Sequence, residues 1–194
     1  VDAARRRARQ LGYANVEAVV MDAQDLDLSD GVVDAVLCRW TLYLLPDPAL
    51  ALREMARVVR PGGRVGLGIW AEAARNPLVP LLAAELVARG HLEPPPGETH
   101  ALDLAPMLAD AGLAEAREEE VAFTWRFWSL TEAGQYVADA GGEAGRALAG
   151  LGADARREVL DAYGDALRAA GFVGADGAVA VPAVALNALA VRPA

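Results

Sequence analysis

Within the first seventy residues apolar positions fall in short near-continuous runs, and later segments carry them at helical spacing. Val16-Glu17-Ala18-Val19-Val20-Met21 is rich in β-branched residues and ends at Asp22-Ala23. Such a run predicts a buried strand with its functional end at the carboxyl side. Val32 to Cys38, entered from Ser29-Asp30-Gly31 and left at polar Arg39, predicts a second buried strand. Between Pro46-Asp47-Pro48 and Gly62-Gly63, the residues Leu50, Ala51, Met55, Val58 and Val59 recur at helical spacing. With Asp47 as N-cap and Pro48 behind it, this predicts a helix of about three turns. Pro61-Gly62-Gly63 breaks it, because proline cannot continue the ladder and glycine takes the left-handed turn. Arg64 to Trp70 then predicts a third strand, and the set reads as half of an open α/β sheet.

Beyond Trp70 helices dominate. The pattern predicts a helix over Pro77 to Arg89, a loop at Glu93-Pro94-Pro95-Pro96-Gly97, and a short helix from Asp103 to Ala111 closing on Gly112-Leu113. Residues 114–128 alternate well enough to be an edge strand with Phe123, Trp125 and Phe127 on one face. Helices follow from Leu130 to Ala170, one of about four turns opening at Asp154-Ala155-Arg156-Arg157-Glu158. Val184 to Val191 predicts a last strand.

Composition narrows the classes of function. The 194 residues are 54% hydrophobic and 23% charged, enough apolar material for one core. Net charge is −9, which argues against a nucleic-acid partner, since phosphate binding favours a basic surface. The run Arg5-Arg6-Arg7-Arg9 reads as a solvated helix face, as does Glu118-Glu119-Glu120. One cysteine excludes an intrachain disulfide, and with two histidines it gives no metal-ligand spacing. No apolar run is long enough to predict a membrane span, and the cytoplasm is the expected compartment. Basic residues that are all arginine, with abundant alanine, point to a GC-rich bacterial source.

Several segments, in this order and spacing, carry a family resemblance. Met21-Asp22-Ala23-Gln24-Asp25-Leu26, Val33-Asp34-Ala35-Val36-Leu37-Cys38-Arg39, Leu42-Tyr43-Leu44-Leu45-Pro46-Asp47-Pro48, Arg53-Glu54-Met55-Ala56-Arg57-Val58 and Arg60-Pro61-Gly62-Gly63-Arg64 resemble class I S-adenosylmethionine-dependent methyltransferases. Within that class the chain is similar to the methyltransferase type 11 branch, which includes quinone-biosynthesis C-methyltransferases and many small-molecule enzymes. The resemblance is specific over residues 1–70 and looser beyond. It implies a Rossmann-like sheet with helices on both faces, a C-terminal antiparallel strand, a lid-like insertion over residues 71–100 and a helical region over 130–175. All of these fall in one domain over residues 1–194.

The family's glycine-rich loop and first two strands have no counterpart here. Asp2 lies too close to Gly12 to be the ribose-binding acid with the family's helix between them, and it reads as a helix N-cap or first-turn acid. Since the family places those two strands between the Val16 and Val33 strands, the resemblance implies a gap there. It also implies a chain that is the carboxyl-terminal piece of a longer protein. An open gap would invite pairing with another chain, a second copy included.

The resemblance further implies S-adenosylmethionine as cofactor and a small-molecule acceptor, methylated by in-line displacement. Asp22 would accept the adenine amino group with the Ala23 backbone against the ring; the alternative for Asp22 is a loop acid capping the turn at Gln24-Asp25. Arg39 and Trp40 would stand beside the methionine part of the cofactor, with packing as the alternative for Trp40. Tyr43 would be the acceptor-side proton acceptor or orienting donor, the single catalytic candidate, or else a lid contact. Trp70 and Asn76 would border the acceptor, or serve packing and capping. Two classes of function compete: the methyltransferase, and a catalytically inactive remnant acting as a binding or partner module. A dinucleotide oxidoreductase fits less well, because no residue pattern supplies a hydride-transfer site.

Overall fold

The structure, a computed structural model, describes residues 1–94, 102–140 and 142–194. Pro95 to Gly97 of the expected loop, and His100, lie outside the described residues. Strands β1 (Val33–Arg39), β2 (Val59–Trp70), β3 (Ala114–Phe127) and β4 (Val179–Val191) form one mixed sheet of order β1-β2-β4-β3. A Cβ placed on Gly63 would stand 2.6 Å from the Asp34 carbonyl oxygen, and one on Gly66 would stand 2.7 Å from Leu37 Cδ2. This register makes β1 and β2 parallel. Gly62 N–H donates to Arg192 O, and Ala71 N–H donates to Val184 O, so β4 runs antiparallel to β2.

The chain divides into two compact units. The first comprises Val1–Leu67, Asp103–Arg117 and Ala188–Ala194. In it, α1 (Asp2–Gln10) carries Asp2 in its first turn, ion-paired with Arg5 at 3.3 Å rather than capping the helix. Helix α2 (Pro48–Val58) starts as its sequence predicts, with the Asp47 carboxylate accepting from Leu50 N–H at 2.9 Å. Its buried side is Ala51, Leu52, Met55, Ala56 and Val58, while Leu50 stays 36% exposed. Helix α4 (Leu104–Asp110) buries Leu104 and Leu108 and ends at Gly112 in the left-handed region.

The Pro61-Gly62-Gly63 step lies inside β2, which already begins at Val59. Gly62 has φ +74°, and Arg192 closes a bond pair with it by donating to Gly63 O. Gly63 is confined between the carbonyl oxygens of Asp34 and Arg60, leaving no space for a side chain. Helix α2 has already ended at Val58 with Val59 extended, so the expected glycine cap is not what ends it; the motif instead lets β1 approach β2 closely.

Two strand expectations are corrected. Val16 to Met21 forms no strand; Val20 is 82% exposed, and the one bridge nearby joins Asp22 to Asp25. No described strand lies beside this segment, and an extended run without a partner has no ladder to complete. Strand β1 exists but is not buried: Leu37 is 79% exposed and Cys38 alone is buried. Among the described strands it pairs with β2 on one side only and is an edge.

The second unit comprises Gly68–Leu102 and Glu118–Asn187. Helices α3 (Leu78–Ala88), α5 (Leu130–Ala140), α6 (Gly142–Gly150) and α7 (Ala153–Ala169) pack there on one core that includes Leu82, Val137, Leu148, Tyr163 and Val181. Ser129 Oγ accepts from Glu132 N–H and Glu132 accepts from Trp128 N–H, a reciprocal cap that starts α5. Tyr163 is fully buried, and its hydroxyl donates to Leu78 O at 2.9 Å, so the deep phenol is satisfied.

Candidate functional site

The residues expected beside the cofactor all lie in the first unit, on two neighbouring stretches of sequence. Asp22 folds back on its own loop: Gln24 N–H donates to Oδ1 at 2.9 Å and Asp25 N–H donates to the Asp22 carbonyl. This is the local turn that an aspartate favours. Among the described residues its second carboxylate oxygen accepts no hydrogen bond. Gln24 Oε1 accepts from Asp47 N–H at 2.6 Å and so ties the loop to the start of α2.

Helix α2 holds the rest of that loop. Glu54 and Arg57, three residues apart, form a fork with Nε to Oε1 and Nη2 to Oε2 both at 2.7 Å. Glu54 also accepts from Leu26 N–H, and Arg57 donates to the carbonyls of Leu26 and Leu28 and to the Asp30 carboxylate. The hydrogen bond from Arg57 holds the Glu54 carboxyl down at about 2, helped by the Leu26 N–H. Glu54 and Asp30 push the Arg57 guanidinium up in turn. The backbone after Asp22 is thereby fixed by side chains nearly thirty residues downstream.

The second stretch is the carboxyl end of β1. Trp40 has φ +57°, a left-handed backbone that a bulky side chain seldom adopts and that costs on the order of 1–3 kcal/mol. The Arg39 guanidinium lies 5.1 Å from the centre of the Trp40 ring, and Thr41 Oγ1 donates to Arg39 O. Leu42, buried in the 3-10 turn Leu42–Leu44, anchors the corner and leaves Tyr43 42% exposed. Cys38 is buried just before it, and desolvation pushes its thiol up.

Trp70 and Asn76 belong to the second unit. The Asn76 amide is committed to backbone: Nδ2 donates to Ala71 O and Glu72 O, and Oδ1 accepts from Val184 N–H at 2.9 Å. It continues the β2–β4 pairing past the end of β2. Trp70 stands 6.1 Å from Phe123 and 6.2 Å from Trp125, ring centre to ring centre. Arg75 grips Glu120 through both carboxylate oxygens at 2.6 and 2.8 Å.

The sequence motifs contain Gln24, Glu54 and Arg57 but do not reveal that these side chains hold the loop. The available signal was the Glu54/Arg57 spacing on the polar side of a predicted helix, which by itself reads as a surface pair.

Comparison with known proteins bears on the fold and on residues 1–67. A proposed methyltransferase of Bacillus halodurans superposes with a TM-score of 0.61 at 19% identity, over 100% of this chain and 78% of that one. Phosphoethanolamine N-methyltransferase 2 of Haemonchus contortus, solved with phosphomonomethylethanolamine and S-adenosylhomocysteine, superposes with a TM-score of 0.54 at 15% identity, over 100% and 41%. The fold is thus the Rossmann-like fold of class I methyltransferases. Residues 1–67 match the methyltransferase domain family.

Within the matched segment, demethylmenaquinone methyltransferase of Mycolicibacterium vanbaalenii is 49% identical over 51 residues, 26% of this chain and 22% of that protein. The aligned stretch covers 19% of a Streptomyces fradiae protein and 31% of the phosphatidylethanolamine N-methyltransferase of Cereibacter sphaeroides, so the chain spans well under half the length of these curated relatives. No helix among the described residues is long and apolar enough to cross a membrane.

Proposed function

We propose that this chain is part of a methyltransferase that moves a methyl group from S-adenosylmethionine to a small-molecule acceptor. The observation that carries the reading is the Asp22–Leu26 loop, held by Gln24, Glu54 and Arg57 within the segment that matches the methyltransferase domain. The residues present fit the adenine and methionine sides of the cofactor. Asp22 keeps one carboxylate oxygen uncommitted, which suits an exocyclic amine, and Ala23 adds no bulk against a flat ring. Arg39 and Trp40 offer a cation and an aromatic face beside each other.

When bound, the sulfonium cofactor supplies an already activated methyl group. The work left to the protein is alignment and exclusion of water. Asp22 accepts from the adenine amine, the Ala23 backbone lies along the ring, and Trp40 and Arg39 border the methionine portion. Tyr43, partly exposed on its turn, orients the acceptor or takes its proton. Asn76, whose amide is spent on backbone, keeps the residues after Trp70 in place. Residues 71–100 act as the lid-like insertion of this reading, and residues 130–175 as its helical C-terminal region. The acidic balance favours a small acceptor over a nucleic acid, the cytoplasm is the compartment of this reading, and a second copy is a possible partner.

The test is calorimetric titration of S-adenosylhomocysteine into this chain and into the product of its complete gene. Binding by either, weakened at least tenfold by Asp22→Ala, supports the proposal. No binding by both overturns it and leaves the catalytically inactive, partner-binding alternative.

A further inference from the structure

The second unit carries a continuous row of rings that the cofactor residues do not use. Phe123, Trp125 and Phe127 alternate along β3, and the row runs Trp70, Phe123, Trp125, Tyr136, Phe127. Successive centroids are 6.1, 5.3, 5.0 and 5.4 Å apart, all tilted or edge-on, the spacing at which rings attract one another. Phe127 is buried in the core of the unit, whereas Trp70, Phe123, Trp125 and Tyr136 are half-buried. The row is anchored at one end and offers ring surface at the other.

Its polar group is the Tyr136 hydroxyl. Tyr163, deep in the same unit, spends its hydroxyl on Leu78 O, but Tyr136 makes no hydrogen bond among the described residues. Burial pushes the Tyr136 phenol up, which keeps it a protonated donor. A hydroxyl that donates suits an oxygen acceptor rather than a cation. Glu120 of the same strand is already held by both nitrogens of the Arg75 fork.

We propose that Trp70, Phe123, Trp125 and Tyr136 bind a flat uncharged aromatic molecule whose hydroxyl or carbonyl oxygen accepts from the Tyr136 hydroxyl. Tyr136 is a specificity-determining residue of this ring site.

The test follows the indole N–H signals of the four tryptophans by nitrogen-15 NMR while 2-naphthol or naphthalene is added. Trp128, 89% exposed, reports non-specific contact. The expected result is saturable shifts at Trp70 and Trp125 with none at Trp128. Trp125→Leu weakens both probes at least tenfold, and the remaining indole signals verify that this variant folds. Tyr136→Phe weakens 2-naphthol about fivefold to tenfold, the worth of one hydrogen bond, and leaves naphthalene unchanged. Absent or non-saturable shifts, or equal effects of Tyr136→Phe on both probes, overturn the inference. Titrating S-adenosylhomocysteine into the same samples separates the two claims. Cofactor binding without a naphthol response sinks the ring site alone, and a naphthol response without cofactor binding by any form of the protein sustains the ring site while sinking the methyltransferase reading.

Discussion

Arg57 closes a two-pronged hydrogen-bonded ion pair on Glu54, three residues before it on α2, and both side chains then reach the backbone at Leu26. The pair has a pH signature. Glu54 sits at about 2 in the folded protein against about 4.5 when exposed. A depressed carboxylate contributes stability that is fully present above the unfolded value and is lost as pH falls through the folded one. Wild-type protein should therefore lose stability relative to Glu54→Gln between about pH 4.5 and 2. Urea unfolding of both proteins at pH 7, 4 and 3 checks this; a constant difference across that range contradicts it.

Gly63 offers a steric test. Because the atoms facing it are backbone carbonyls of Asp34 and Arg60, neither can rotate away from a new methyl group. Gly63→Ala should cost about 1–3 kcal/mol, as overpacking at a rigid site does. Gly150→Ala, which meets nothing within 4 Å, should stay within about 0.5 kcal/mol of wild type or gain slightly in its helix. Denaturant midpoints of the two variants read the contrast.

Asn76 joins its own turn to β4 through three hydrogen bonds to backbone. Asn76→Ala frees the partly buried Val184 N–H and should destabilise by about 2 kcal/mol. Amide exchange at Val184 should quicken in this variant more than exchange elsewhere in β4. Unchanged exchange there would show that the side chain does not carry the bond.

The buried Tyr163 hydroxyl leaves Leu78 O without its partner when removed, so Tyr163→Phe should cost about 1–2 kcal/mol with no change in helix content. Circular dichroism with thermal unfolding measures both parts of that statement.

What the sequence disclosed was whatever depends on near neighbours. Asp47-Pro48 marks the start of α2 because a cap and its helix lie within one turn, whereas the helix ends at Val58, before the Pro61-Gly62-Gly63 whose composition predicts the break. The edge strand with Phe123 and Trp125 on one face follows from alternation alone. Val16 to Met21 misled, because its valines satisfy strand propensity while a strand also needs a neighbour at hydrogen-bonding distance. The start of β2 at Val59 was missed for a matching reason: Arg192, whose guanidinium donates to Val59 O and whose backbone pairs with Gly62 and Gly63, lies at the far end of the chain. Asp22 stands on a loop, and Arg39 and Trp40 stand at the carboxyl end of β1, where the motif order expects them. The left-handed backbone of Trp40 and the grip of Glu54 and Arg57 on Leu26 are tertiary facts that residue spacing does not encode.

Hydrogen exchange of the cofactor loop, with and without S-adenosylhomocysteine, tests the central claim most directly. In whichever form of the protein binds it, the amides of Ala23 to Leu26 and Arg39 to Thr41 should exchange more slowly in its presence, and Asp22→Ala should abolish that slowing. Binding that protects other segments while leaving these amides unchanged would contradict the account.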